Sequence, residues 1–270
     1  MKSHKILILL LTALFILVTF AACGQSGNAS DQSLKYIQEK GKLILGLDDA
    51  FPPMGFRDDD NNIVGFDVDV AKAVCQKLGV ELVLQPIDWE AKEQELTTKN
   101  IDCIWNGFSV NEEREKNMTL SNPYMDNNMV LVVRADSNIK TLADMKDKKL
   151  ALQAGSTALD ALNSKADFKA GLKEVAQLDD NLQALLNLDT KSVDAVLMDS
   201  IFANYYIAKN NKAFVVLSES LSTEEYAVGF RKGDVALKNA VDKALKELAK
   251  DGTIAQISAK WFGKDITKVK

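Results

Sequence analysis

The sequence predicts an α/β fold built in two halves, and three observations carry that prediction. First, Lys42-Leu-Ile-Leu-Gly-Leu47, Glu81-Leu-Val-Leu-Gln-Pro86 and Ile101-Asp-Cys-Ile-Trp105 are apolar runs of strand length. They are separated by helically spaced stretches over 66–77 and 90–97. This βαβα alternation calls for a parallel sheet with helices on its faces. Second, a Pro- and Asn-rich stretch over 122–129 interrupts the rhythm, which then resumes with Lys149-Leu-Ala-Leu-Gln153 and Val193-Asp-Ala-Val-Leu-Met198. Third, 270 residues that are 47% hydrophobic and 26% charged suffice for about two domains, each with its own core.

The amino terminus is set apart from this fold. Met1-Lys-Ser-His-Lys5 is a basic segment, 6–20 is apolar, and Ala21-Ala22-Cys23 follows, resembling the lipobox of bacterial lipoproteins. The reading is a lipoprotein signal peptide over 1–22, lipidation at Cys23, and a Gly/Ser/Asn/Gln tether over 23–33. The alternative is an uncleaved anchor helix, for which the apolar run is short of the roughly 20 residues of a full span.

The chain then reads in order. A short helix over 34–39 closes at Lys40-Gly41. The strand at Lys42 runs into Asp48-Asp-Ala-Phe-Pro-Pro53, where the prolines set an extended loop. Asp58-Asp-Asp-Asn-Asn62 is a solvated turn. Phe66, Val70, Ala73 and Val74 mark the buried face of the next helix. Asp88-Trp89 follows the second strand. The third strand, 101–105, stops at Asn106-Gly-Phe-Ser109, and Asn111-Glu-Glu-Arg114 opens a helix. Chain crossing between halves is placed at 122–129, ahead of a strand over 130–133. In the second half, Lys149–Gln153 runs into Ala154-Gly-Ser-Thr157, a strand-to-helix junction that serves either as an anion-binding turn or as an ordinary N-cap. Helices over 182–188 and 202–209 flank the strand that ends at Asp199. Strands over 214–217 and 224–230, then helices over 235–251 and 254–261, complete the chain.

Ligands of open α/β sheets bind beyond the carboxyl ends of the strands. Asp48, Asn106, Gly107, Ser109, Gln153, Thr157 and Asp199 all stand there. A glycine admits a ligand to the backbone, a serine offers a hydroxyl, and an arginine offers a planar fork for a carboxylate. Each residue also has a plainer role. Arg114 would pair with Glu112 or Glu113, Asp48 would cap a turn, and Phe51 would sit in the core.

Composition excludes several functions. The full chain carries 33 basic and 38 acidic residues; loss of 1–22 removes Lys2, Lys5 and no acid, leaving 31 against 38, a net charge of −7. That balance argues against nucleic acid or an anionic membrane surface as a partner. His4, the sole histidine, leaves with the signal peptide, so Ser-His-Asp chemistry, a Cys-His pair and His-ligated zinc are excluded. Cys75 and Cys103 read as buried small hydrophobes rather than a catalytic pair, and a disulfide between them stays open in an oxidising envelope.

Taken together, Ile63-Val-Gly-Phe-Asp-Val-Asp69, Ile101-Asp, Asn111-Glu-Glu-Arg114, Leu120-Ser-Asn-Pro-Tyr124, Gly155-Ser-Thr157, Val193-Asp-Ala195 with Asp199, and Asp251-Gly-Thr253 with Lys260-Trp-Phe262 resemble the polar-amino-acid-binding proteins of bacterial ABC importers. The resemblance covers about 43–262. It implies a two-lobed, periplasmic-binding-protein-like fold of type II, with two hinge strands and the ligand in the cleft between lobes. It places lobe one at 34–125 plus 225–270 and lobe two at 126–224.

The same resemblance gives the site residues their roles. Arg114, Ser109 and Thr157 would hold the ligand carboxylate, Asp199 and the Gly107 carbonyl its ammonium. Phe51 and Trp89 would flank its side chain, with Asp48 near the tip and Gln153 and Met198 on variable walls. Asn106 stands where the family has Ala or Ser. The implied partners are a free L-amino acid, basic ahead of glutamine, and the permease subunits. The protein would be a monomer outside the cytoplasmic membrane, touching it through the lipid alone. No cofactor, metal or catalytic residue is implied. The alternative is an enzyme on the same fold, of the prephenate- or arogenate-dehydratase kind, with Asp48 or Asp199 as general acid.

Overall fold

The computed structural model describes residues 31–269, so the predicted signal peptide, Cys23 and most of the tether lie outside the described residues. The first helix, α1 (Ser33–Lys40), stops at Gly41, whose left-handed φ of 72° turns the chain into β1 (Lys42–Leu47). Three short strands, β2 (Ala50–Phe51), β3 (Gly55–Arg57) and β4 (Ile63–Val64), form a small antiparallel sheet beside it. The acidic run at 58–62 is the expected turn, with Asp58 Oδ1 accepting the Asp60 and Asn62 N–H groups. Helix α2 (Phe66–Leu78) buries Phe66, Val70 and Val74 as expected, with Ala71 buried and Ala73 half-buried.

The central elements follow: β5 (Glu81–Pro86), α3 (Lys92–Thr97), β6 (Cys103–Ser109), α4 (Glu112–Asn117), β7 (Met118–Leu120) and β8 (Met125–Arg134). After a 3-10 turn at Leu142–Met145 come β9 (Lys149–Gln153), α5 (Thr157–Asn163), α6 (Ala166–Ala170), β10 (Glu174–Leu178), α7 (Asn181–Asp189), β11 (Ala195–Asp199) and α8 (Ser200–Asn210). The long β12 (Phe214–Arg231) leads to α9 (Val235–Lys250) and α10 (Thr253–Phe262).

One mixed sheet runs in the order β10-β9-β11-β8-β12-β6-β1-β5, with β7 on β12. The parallel pairs β1–β5, β1–β6, β9–β10 and β9–β11 are those the βαβα rhythm implies. The antiparallel strands β8 and β12 lie between these two groups and join them. Cys75 and Cys103 are buried free thiols, and burial pushes Cys75 up to about 12.

Three strand readings are corrected. β6 does not stop at Trp105 but continues to Ser109, because β12 supplies ladder partners there: Phe108 faces Ala227 and Ser109 faces Tyr226. Between those pairs and Ile104–Gly229, three residues of β6 oppose the single Val228. The bulge falls on Trp105, Asn106 and Gly107, and such bulges re-aim side chains. Residues 125–129 are strand rather than turn, alternating buried Met125, Asn127 and Met129 with exposed Asp126 and Asn128. The two strands read at 214–217 and 224–230 are one strand, irregular between Val216 and Ser222. Its exposed polar residues there conceal it from any apolar pattern.

At the amino-terminal edge of β6, Asp102 is fully buried. Its Oδ2 accepts the Lys40 ammonium and the Ile44 N–H, each at 2.7 Å, and Arg231 Nη2 lies 3.6 Å from Oδ1. This carboxylate ties α1, β1 and β12 together at the end of the sheet away from the strand carboxyl termini. Asp102→Ala leaves Lys40 without its carboxylate and Arg231 with Asp234 alone, and is expected to cost about 3 kcal/mol in urea unfolding. A loss below about 0.5 kcal/mol, the scale of an ordinary surface change, would show that the cluster contributes nothing.

Candidate ligand-binding site

All ten predicted ligand-binding residues line a single cavity, joined by Ser156, which the sequence did not single out. The free space inside it is narrow, about 10 Å³, far below the roughly 300–1,000 Å³ of small-molecule sites. Met198 is not among the lining residues. Side chains alternate along β11, so Asp199 reaches the cavity while Met198 is buried in the core behind it.

Arg114 is placed by α4. The Asn111 side chain accepts the Arg114 N–H at 2.8 Å and so caps the helix at the turn that carries the guanidinium. Arg114 Nη1 donates to the Ser109 carbonyl at 2.6 Å, and the guanidinium lies 4.0 Å from the Phe108 ring centroid. It is 5% exposed. Among the described residues no carboxylate pairs with it, and Glu112 and Glu113 are exposed. Burial pulls its pKa down to about 10 against the more distant charges of Glu224, Asp160, Glu93 and Asp199.

Asp199 ends β11 on the other side of the crossing strands. Its Oδ1 accepts from Tyr226 Oη and Asn127 Nδ2, both at 2.6 Å. Asn127 belongs to β8 and Tyr226 to β12, so both crossing strands hold this carboxylate. Burial, and next the Glu224 carboxylate, push it up to about 7; the Tyr226 hydrogen bond and Arg114 oppose the rise.

Gly107 sits in the β6 bulge at φ +54°, and a Cβ there would lie 2.9 Å from Phe51 Cε1. Only glycine fits both the backbone and the space. Its N–H donates to Asp67 Oδ2 at 2.7 Å, and Tyr124 Oη donates to the same oxygen at 3.0 Å. Burial raises Asp67 to about 7. Asn106 Oδ1 accepts the Asp48 N–H at 3.2 Å, and its buried Nδ2 has no partner among the described residues. Gly55 makes room for that amide, since a Cβ would meet Nδ2 at 2.6 Å.

Asp48 is 8% exposed and does cap a turn, its Oδ1 accepting the Ala50 N–H at 2.8 Å. It also reaches across to the second group of strands, where Gln153 Nε2 donates to Oδ2 at 2.8 Å. Burial raises it to about 6, opposed by those two hydrogen bonds. Phe51 packs on Phe202 of α8 with ring centroids 5.2 Å apart, and Trp89 meets Phe108 edge-on at 6.0 Å.

The junction at Gly155 departs from expectation. Ser156 is the N-cap of α5 without capping through its side chain. Thr157 Oγ1 donates to Glu224 Oε2 at 2.9 Å, so its hydroxyl has a partner on β12. The 4%-exposed Lys92 donates to the carbonyls of Trp89 at 2.9 Å and Gly155 at 2.8 Å. Burial, then the charge of Arg114, lower it to about 8.

Lys92, Glu224 and Asp67 were not legible as site neighbours. Lys92 and Glu224 stand in polar stretches where charge is ordinarily solvated. Asp67 had one signal, a carboxylate on the apolar face of α2. The assembled site sets a buried, anion-free guanidinium and a buried carboxylate around one small cavity, an arrangement complementary to a small molecule carrying both charges.

The family model for bacterial extracellular solute-binding proteins, family 3, matches residues 43–264. The L-cystine-binding protein TcyJ of Escherichia coli is 34% identical over 242 residues, 89% of this chain and 90% of that protein. The arginine-binding extracellular protein ArtP of Bacillus subtilis is 31% identical over 260 residues, 94% of this chain and 97% of that one. A solved ABC uptake transporter substrate-binding protein from Streptococcus pneumoniae, with bound histidine, matches at a TM-score of 0.86 and 39% identity, covering 89% of this chain and 99% of that one. The architecture is therefore the predicted two-lobed, type II periplasmic-binding-protein-like fold. The chain belongs to the family 3 bacterial extracellular solute-binding proteins.

Proposed function

We propose that the protein captures a free L-amino acid between a lobe of residues 34–125 plus 225–270 and a lobe of residues 126–224, and presents it to the permease of an ABC importer. The observation that carries this reading is the charge arrangement of the cavity. Arg114 is buried without an anion, and Asp199 faces it from the other lobe. A free amino acid is a zwitterion at neutral pH, and burying either of its charges unpaired costs several kcal/mol. Arg114 offers the carboxylate a bidentate fork that lysine cannot offer. Asp199 and the Gly107 carbonyl take the ammonium, Ser109 and Thr157 assist at the carboxylate, and Phe51 and Trp89 flank the side chain.

Because the two charges stand on different lobes, only closure completes the cage, and the ligand stabilises the closed state through those contacts. Cysteine lipidation at Cys23 would hold the protein outside the cytoplasmic membrane. Membership of a binding-protein family sets aside the dehydratase alternative.

Asp48 directs the reading to a basic side chain. Its carboxylate has acceptor capacity left after its two bonds, and Asp49 and Asp180 add negative charge around it. An arginine, lysine or histidine tip supplies donors and charge together, and Trp89 and Phe51 suit a cation. The named relatives and structures bind arginine, histidine and cystine. Cystine would bring a second ammonium that suits Asp48 but also a second carboxylate near Asp48, Asp49 and Asp180, which places it behind a basic side chain. Glutamine ranks next, since its amide donates to Asp48 but brings no charge.

A thermal-shift screen of the twenty amino acids tests this directly. A ligand at 100 times its dissociation constant adds about 2.7 kcal/mol, and arginine, lysine or histidine is expected to give the largest shift. Arg114→Ala is expected to abolish that shift, weakening binding more than about a hundredfold, without unfolding the empty protein. No shift with any amino acid would remove the proposal, and an unchanged shift in the variant would remove Arg114 from it.

Binding is also expected to follow pH. Asp199 must be ionised to hold the ammonium, and its folded value is about 7. Affinity therefore strengthens as pH rises through about 7 and weakens below it, by tenfold or more at about pH 5.5. The stability of the empty protein moves the other way. Between the ordinary value of 3.8 and about 7 the folded chain keeps a proton that the unfolded chain has released. This group's contribution is thus full below the ordinary value and declines as pH rises to about 7. Calorimetry from pH 5 to 8 checks the first trend; a flat dissociation constant would contradict it.

A further inference from the structure

Lys92 is a second buried cation beside the cavity. A buried ammonium ordinarily has a carboxylate partner. Among the described residues none pairs with this one, and Glu93, Glu90 and Asp160 act on it from beyond pairing distance. Two carbonyls take its hydrogen bonds instead, those of Trp89 and Gly155, which belong to segments far apart in the chain. Nζ also lies 5.3 Å from the Trp89 ring centroid. Gly155 packs closely on this side. Its φ is +66°, and a Cβ there would meet Glu90 Cα at 3.0 Å and Lys92 Nζ at 3.3 Å. The turn that Gly155 opens carries Ser156 and Thr157, which line the cavity, whereas Lys92 does not. Burial and then the charge of Arg114 lower the Lys92 pKa, so the two cations lie close enough to repel each other. Like charges held together out of water are costly, and an arriving anion relieves both.

We infer that Lys92 is a positioning residue of the carboxylate site: it fixes the 155–157 turn against the segment from Trp89 to Lys92 and adds a second positive charge to that of Arg114, so that it favours the α-carboxylate of the ligand without touching it. The inference rests on the amino-acid-binding reading of the cavity and adds to it a residue outside the lining. A contact that merely straps the two sides of the cleft together acts on every ligand alike. A charge directed at the carboxylate acts only on ligands that carry one, and that difference is measurable.

Calorimetric titrations compare the amino acid that gives the largest thermal shift with its decarboxylated amine: agmatine for arginine, cadaverine for lysine, histamine for histidine. They are made on the parent protein and on Lys92→Met, whose apolar stem fills much of the same space without charge or donor. The variant is expected to bind the amino acid roughly fivefold or more weakly, and the amine within about twofold of the parent. Lys92→Gln, which keeps a donor but no charge, carries the same expectation, and melting curves without ligand separate loss of fold from loss of binding. Equal losses for the amino acid and the amine would make Lys92 a strap, and no loss for either would make it a bystander. Both results overturn the inference and leave the amino-acid-binding reading standing. A parent that binds no amino acid, or that binds the amine as tightly as the amino acid, removes that reading and the inference with it.

Discussion

A buried guanidinium with no anion of its own is the feature on which the rest of this structure turns. Removing a charge from water is costly, and proteins usually meet that cost with a permanent partner. Here Arg114 receives one backbone carbonyl and the face of Phe108. The bulge in β6 and the Asn111 cap on α4 hold it at the cavity, and the nearby carboxylates act on it from beyond pairing distance. A site so built is incomplete until a guest anion arrives. Asp199 has the opposite incompleteness: its hydrogen bonds orient it, but burial and Glu224 keep it from ionising readily until a cation comes.

The two crossing strands hold both charges in place. Asn127 on β8 and Tyr226 on β12 both donate to Asp199, and Ser109, which holds Arg114, pairs with Tyr226 in the ladder. Around the rim, Gln153 on Asp48, Lys92 on the Gly155 carbonyl, Asn111 on Asp160 and Phe51 on Phe202 bring the two groups of strands together. These are three hydrogen bonds and one ring contact. That suits a closure which a small ligand's differential contacts are sufficient to shift.

Much of this was legible in the sequence, for reasons that particular residues make clear. The strands Lys42–Leu47, Glu81–Pro86 and Lys149–Gln153 were read to the residue, because each is a short apolar run bounded by turn formers, largely buried in the first and third and half-buried at the sheet edge in the second. All ten predicted site residues reached the cavity, because strand carboxyl ends, a bulge glycine and helix starts are written locally and their order matches a family pattern. Two hinge strands were expected, but the extent of each was misread. Met125–Met129 and Ser218–Thr223 are strands over a polar surface, where the ladder partner rather than apolar periodicity decides the conformation. Thr157 lines the cavity, yet its hydrogen bond to Glu224 joins residues 67 apart in the chain, which no local pattern records. Lys92 was invisible for the same reason, since its carbonyl partner Gly155 is 63 residues away in the chain.

The most direct test of a cage for two opposite charges is to offer each charge alone. Calorimetry would compare the best-bound amino acid with its decarboxylated amine and with its analogue lacking the α-amino group. Each analogue is predicted to bind more than a hundredfold more weakly, about 3 kcal/mol, because each leaves Arg114 or Asp199 buried without its counter-charge. Either analogue binding as tightly as the intact amino acid would contradict the account.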